Sequence, residues 1–175
     1  MKIYVKNREI HAKIVLERTK FLKEIMKFIC DQMLIRLGRW LRAAGYDVEI
    51  IEKSLPDNEI LQRALDQNRL LLTRDRHFLK TASKNVIWLQ ANALEDCICE
   101  LTQKIAIDWL MNPFSRCTLC NQNLEEIITH DSRIPANVKG QFNRYWICPS
   151  CKRIYWEGSH TQSMKLKLSC WQHYR

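Results

Sequence analysis

Between residues 28 and 110 the apolar positions switch repeatedly between short continuous runs and helical spacing. Phe28-Ile29-Cys30 reads as a buried strand. Met33, Leu37, Trp40, Leu41 and Ala44 then recur at helical spacing, and Gly45 is placed to stop that helix. Val48 to Ile51 predicts a second strand. Ile60, Leu61, Ala64 and Leu65 predict a second helix, opening near Pro56-Asp57. Leu70-Leu71-Leu72-Thr73 and Val86-Ile87-Trp88-Leu89 read as the third and fourth strands, and Leu94, Ile98, Leu101 and Ile105 as the stripe of a long helix. This alternation predicts an α/β fold: a mostly parallel sheet with helices on both faces.

Outside that stretch the pattern is less regular. Ile3-Tyr4-Val5 and Ile14-Val15-Leu16 have the makings of strands, and Phe21, Leu22, Ile25 and Met26 of one side of a helix. Residues 1–27 are therefore read as an extension packed on the sheet. Residues 28–112 form the α/β domain, Met111-Asn112-Pro113 is the linker, and residues 113–175 form a small second unit with a C-terminal tail. A chain of 175 residues, 46% hydrophobic, is long enough for one ordinary domain plus a mini-domain. No apolar run approaches the ~20 residues of a membrane span. The first residues, MKIYVKNREIHAKIV, scatter charge through the apolar positions, so no secretory signal and no membrane association are expected.

The second unit is defined by its cysteines. Cys117-x-x-Cys120 and Cys148-x-x-Cys151 supply two pairs of soft ligands separated by a loop of 27 residues, a set that suits tetrahedral Zn²⁺ in a ribbon with an insertion. Four buried free thiols would be the alternative, but two matched pairs rarely arise by packing alone. With metal-type spacing, eight cysteines point to a reducing cytoplasm rather than to disulfides. Cys30, Cys97, Cys99 and Cys170 read as structural, and Cys97 and Cys99 cannot share one helical face. The formal net charge is +9, which a Cys₄ zinc site would lower to +7. That balance favours polyanionic partners.

The candidate chemistry lies in the aspartates. Asp31 follows the first strand, Asp75 lies two residues beyond the third, and Asp57 opens the second helix. Open parallel sheets bind ligands at the carboxyl ends of their strands, where strand order reverses. Three hard oxygen ligands converging there suit Mg²⁺ or Mn²⁺, which activate water and neutralise phosphate charge. Each aspartate also has a purely structural reading: Asp31 as a helix N-cap, Asp57 as a first-turn charge and Asp75 as a turn cap.

The combination Asp31-x-Met33-Leu34, Leu37-x-Arg39-Trp40-Leu41-Arg42, Gly45-Tyr46-Asp47, Asp57-x-x-Ile60 and Leu71-Leu72-Thr73-Arg74-Asp75 resembles the Mut-seven C-terminal RNase domain family. So does the second part, Ser115-Arg116-Cys117-x-x-Cys120-Asn121-x-x-Leu124, Cys148-x-x-Cys151 and Tyr155-Trp156-x-Gly158-Ser159-His160. The resemblance spans roughly residues 28–168. It implies a PIN-like nuclease domain fused to a C-terminal zinc ribbon, with RNA as substrate and Asp31, Asp57 and Asp75 as the catalytic acids around Mg²⁺ or Mn²⁺. PIN nucleases usually carry another acid between the first two. The candidates here are Asp47, Glu49 and Glu52. Asp31→Asn is expected to abolish cleavage while leaving the fold intact.

Basic and aromatic residues extend this picture. Arg36, Arg39 and Arg42, three apart, form either a phosphate track leading to the acids or a solvated helix face. Arg74 is placed to orient a phosphate or an aspartate, and Thr73 to hold water or end its strand. His77 reads as a lone loop histidine, more often a surface residue than a proton shuttle. Residues 115–175 hold nine Lys/Arg against four Asp/Glu, a net +5 that a Cys₄ zinc site lowers to +3. Trp146 and Trp156, among Arg144, Tyr145, Lys152, Arg153 and Tyr155, serve either to stack bases or as the ribbon's own small core. The expected protein is a metal-dependent ribonuclease whose ribbon aids RNA binding. The alternative is a non-catalytic nucleic-acid-binding protein that keeps the sheet and the ribbon.

Overall fold

The structure, a computed structural model, describes residues 26–51, 53, 55–81 and 84–174. The elements expected between Ile3 and Ile25, and the candidate acid Glu52, lie outside the described residues. The four apolar runs form one parallel sheet from β1 (Lys27–Cys30), β2 (Asp47–Ile50), β3 (Leu70–Thr73) and β4 (Val86–Trp88), in the order β2-β1-β3-β4. The intervening periodic stretches form α1 (Ile35–Ala43), entered through a 3₁₀ turn at Gln32–Leu34, then α2 (Asp57–Asp66) and α3 (Leu94–Lys104).

Burial explains why the strands are apolar throughout. Phe28, Ile29 and Cys30 of the central β1 are all fully buried, because both faces of a parallel sheet are covered. Phe28, Cys30, Val48 and Leu72 pack with Leu37 and Leu41 of α1 and Ile98 and Leu101 of α3. Ile29 and Leu71 point the other way, onto Ile60 and Ala64 of α2 and Phe78. Helices therefore cover both faces, as expected. α1 lies so close to the sheet that a Cβ on Gly38 would meet Ile50 Cγ1 at 2.9 Å. Gly45 ends the α1 region with φ of +105°, and a Cβ there would meet the Asn112 carbonyl at 2.5 Å. The linker is thus seated against the helix end, where Ala43 and Ala44 carbonyls accept Phe114 N–H (2.7 Å) and Asn112 N–H (3.1 Å). Two residues depart from the expected apolar stripes: Met33, in the 3₁₀ turn, and Leu65, at the end of α2, are both exposed.

The second unit is a three-stranded antiparallel sheet, β5 (Glu125–Ile127), β6 (Tyr145–Ile147) and β7 (Ile154–Trp156), in that spatial order. A further helix, α4 (Ser159–Trp171), follows it, where the sequence pattern indicated only a tail. Few of its residues are buried, yet Leu168 and Trp171 join the core of the α/β sheet. Trp171 stands edge-on to Trp40 (4.6 Å between centroids) and Trp109 (5.4 Å), and its indole N–H donates to Glu95 at 2.6 Å. No helix among the described residues is long and apolar enough to cross a membrane.

Candidate metal centres

The strand order 2-1-3-4 reverses between β1 and β3: the chain leaves β1 toward β2 and leaves β3 toward β4. The carboxyl ends of β1 and β3 therefore frame the crevice where such sheets bind ligands. Asp31 follows β1 and the Thr73-Arg74-Asp75 segment closes β3. α2 returns from β2 to β3 and begins at Asp57, bringing its first turn to the same edge. Ligand atoms of Asp57, Asp75 and His77 lie within 4.8 Å of one another. Asp57 and His77 are exposed and Asp75 is half-buried, so the triad faces solvent. Two carboxylates and one imidazole within that span have the donor set and spacing to hold a divalent cation, with open positions for water.

Hydrogen bonds explain how the edge is held. Asp31 is buried, and its Oδ1 accepts Met33 N–H at 2.8 Å, capping the 3₁₀ turn. Its Oδ2 accepts the buried Thr73 hydroxyl at 2.5 Å and Arg74 N–H at 3.2 Å. Thr73 Oγ1 in turn accepts Asp75 N–H at 2.9 Å. Asp75 Oδ1 accepts His77 N–H at 2.8 Å and lies 3.1 Å from His77 Nδ1. Thr73 thus links the buried acid to the exposed one. The structural readings of Asp31 and Asp75 as caps are both realised, while Asp75 also belongs to the triad. Asp31 does not lie within the 4.8 Å group. Three of the roughly four lone-pair sites of its carboxylate are occupied by these donors.

The further acids sit elsewhere. Parallel register pairs Lys27 with Asp47 and Cys30 with Ile50, which places Asp47 at the amino edge, away from Asp31. There Asp47 accepts from Arg69 (2.8 Å) and Asn121 (2.7 Å). Burial pushes its pKa up, but these two donors outweigh it and hold the carboxyl below its ordinary value. Glu49 is bound to Arg63 at 3.0 Å.

The four cysteines converge as their spacing requires. Sγ atoms of Cys117, Cys120, Cys148 and Cys151 fall within 4.8 Å of one another. Tetrahedral Zn–S bonds of ~2.3 Å place sulfurs ~3.8 Å apart; Cys117 and Cys151 stand 3.7 Å apart. The two knuckles have the same backbone geometry. Asn121 and Lys152, each directly after a C-x-x-C pair, have φ of 66° and 60°. Each returns its N–H to the first cysteine's carbonyl, Asn121 to Cys117 at 2.9 Å and Lys152 to Cys148 at 3.0 Å. Burial raises the Cys117 pKa, but the Tyr155 hydroxyl, 3.1 Å from the sulfur, and the Cys120 N–H overcome it and bring it to about 7. Cys120, crowded by Cys151 and Cys117, is pushed up to about 12. Four sulfurs packed together without a counter-charge resist full ionisation, and a bound divalent cation relieves that.

A family model described as the Mut7-C RNAse domain matches residues 26–168. The chain belongs to that family. No curated protein and no solved structure matches it. Membership gives the chain an RNA-related, nuclease-type function, and the aspartate edge and the Cys₄ cluster both fall inside the matched residues. Among its basic residues, Arg42 is not part of a phosphate track. It is buried, and its guanidinium donates to Val48 O (2.8 Å) and, across the ribbon boundary, to Thr118 O (3.1 Å) and Leu119 O (2.5 Å). Asn121 completes the joint by accepting Val48 N–H at 3.0 Å. Arg39 is exposed on α1, and Arg74 is half-buried beside Asp31. In the ribbon, Tyr145 and Ile147 are buried, as are Ile134, Cys117 and Cys148. Trp146 and Trp156 are half-buried and line a cleft of about 620 Å³, with Arg144 stacked over Trp146 at 5.1 Å. Cys97 is buried and Cys99 only partly so, as their helical spacing requires, whereas Cys170 is exposed. His77 is the residue that periodicity and spacing undervalued. Its position two residues beyond Asp75 is the signal that could have placed it at this edge.

Proposed function

We propose that this Mut7-C family chain is a metal-dependent ribonuclease that hydrolyses RNA phosphodiesters at the carboxyl edge of its parallel sheet. The convergence of Asp57, Asp75 and His77 at the topological switch point carries the reading. These residues would hold Mg²⁺ or Mn²⁺, with the imidazole favouring Mn²⁺. A cation held there supplies an activated water and neutralises charge on the phosphate. Asp31, the buried catalytic acid of this reading, fixes Thr73 and Arg74 and keeps about one lone-pair site unoccupied by these donors. Thr73 passes that order to the Asp75 backbone. Arg74, with a side chain that has no hydrogen-bond partner among the described residues, would meet the substrate phosphate, and Arg39 would meet it one turn into α1. The four cysteines would hold a structural Zn²⁺, and the ribbon would help bind RNA.

Mn²⁺ titration of the zinc-loaded protein by calorimetry tests the site without reference to turnover. Asp57→Asn and Asp75→Asn should each weaken Mn²⁺ binding at least ten-fold. Equal affinity in the parent and both variants would remove the triad as the cation site. A second reading rests on one observation: Asp47 and Glu49 stand away from the triad, engaged by Arg69 and Arg63. A family member so built could bind RNA without cutting it, and retained RNA affinity with no cleavage in Mn²⁺ would select that reading.

A further inference from the structure

Between α1 and the ribbon runs a cleft of about 440 Å³ whose wall includes Arg36, Arg39, Trp40, Arg153, Tyr155 and His160. Among the described residues, no acidic side chain lines it. Arg36, Arg39, Arg153 and His160 are exposed, and none of their side chains has a hydrogen bond or ion pair with another described residue. Four arginines outside the cleft are neutralised: Arg63 by Glu49, Arg69 by Asp47, Arg133 by Asp131 and Arg144 by Glu126. Arginines from two separate elements and a histidine from a third are thus gathered around one recess, and two half-buried rings, Trp40 and Tyr155, stand in its wall. The cleft also has a direction. α1 starts just after the Asp31 turn, so Arg36 lies at the helix end nearest the aspartate edge and Arg39 about 4.5 Å further along the axis.

We propose that this cleft seats a single-stranded RNA segment whose continuation enters the aspartate edge. The inference rests on the nuclease reading for its direction, but not for the binding itself. Phosphates would lie on Arg39 and Arg153, which the fold presents from opposite walls, and a base would stack in the recess beside Trp40 or Tyr155. A volume of this size is that of a small-ligand site and admits a splayed nucleotide. Bases stacked inside a duplex cannot reach rings set back in a recess, whereas unstacked bases can. The boundary is rigid because Arg42 ties the first knuckle to β2, so the two walls are held at a fixed separation.

The test is anisotropy binding of a short fluorescein-labelled single-stranded RNA across a salt series, in an Asp75→Asn background so that the probe is not consumed. The comparison is Arg39→Gln/Arg153→Gln against Lys84→Gln/Lys139→Gln, an equal charge change at exposed positions outside the cleft. The arginine pair should weaken binding and lower the salt slope by about 1.4, from ~0.7 per lost single-strand phosphate contact. The lysine pair should shift the slope far less, and a duplex of the same sequence should lose less affinity than the single strand. Equal slopes for the two pairs, or no RNA binding by the background protein at any salt, would overturn the proposal. Cleavage by the parent is read separately. A parent that cleaves, with the arginine pair binding normally, sinks the cleft and spares the nuclease. Cleft-dependent binding with no cleavage does the reverse.

Discussion

Asp31→Asn is the substitution on which the structure revises the expectation from sequence. The carboxylate accepts three protein donors: Met33 N–H on Oδ1, and the Thr73 hydroxyl and Arg74 N–H on Oδ2. In asparagine one oxygen becomes an NH₂ donor. If the amide oxygen keeps the Met33 cap, the NH₂ faces two groups that were both donating. Thr73 can turn and accept, but its proton then needs another acceptor and Arg74 N–H remains unanswered. One buried donor left without a partner costs ~1–3 kcal/mol, so the variant should lose about 2 kcal/mol. Asp31→Ala forfeits the cap as well, worth ~1 kcal/mol more. Asp75→Asn should lose little, because that side chain is partly solvated and its oxygen can still accept from His77 N–H. Urea unfolding followed by tryptophan fluorescence measures all three. Asp31→Asn unfolding within about 0.5 kcal/mol of the parent would refute this account of how the carboxylate is held, since such small shifts are typical of surface sites. The result also decides how activity data are read: loss of cleavage in Asp31→Asn would be partly loss of order at Thr73 and Asp75, whereas loss in Asp75→Asn reports the site itself.

Three other outcomes follow from the same structure. Arg42→Met should destabilise the fold by about 3 kcal/mol, because carbonyls of Val48, Thr118 and Leu119 lose a shared charged donor; urea unfolding measures this, and a loss under about 1 kcal/mol would contradict the joint. Gly38→Val should cost about 1–3 kcal/mol from overpacking against Ile50 and Cys30, and an unchanged melting temperature would show that the helix can lift off the sheet at no cost. Asp47 has a depressed folded pKa, so its contribution is complete above the ordinary aspartate value of ~3.9 and is lost as pH falls toward the lower folded value. Asp47→Asn should therefore lower stability at neutral pH and flatten the acid side of the stability profile; an acid limb as steep as the parent's would assign that dependence to other groups.

The sheet was legible because β1 and β3 are buried on both faces and so read as unbroken apolar runs, and Gly45 punctuates α1 with a backbone angle that favours glycine. The two knuckles were legible because tetrahedral thiolate binding imposes C-x-x-C. α4 was not, since it anchors through little more than Leu168 and Trp171, and two positions make no periodic stripe. Arg42 sat in register with Arg36 and Arg39 and looked like a third member of their ridge. Its partners are backbone carbonyls 76 and 77 residues away, which no local pattern reveals. Asp47 was close in sequence to the place where another acid was sought, but parallel register puts it at the opposite end of its strand. His77 was visible as a residue and invisible as a neighbour of Asp57, because that proximity arises from α2 starting at the carboxyl edge, beyond the end of β2.

The central claim is that the acids at this edge cut RNA. Its most direct test is incubation of zinc-loaded protein with mixed structured and single-stranded RNAs in Mn²⁺, beside Asp75→Asn purified in parallel. The account predicts cleavage by the parent and none by the variant, with both equally folded. Equal cleavage by the two, or none by a folded, zinc-loaded parent that still binds RNA, would contradict it.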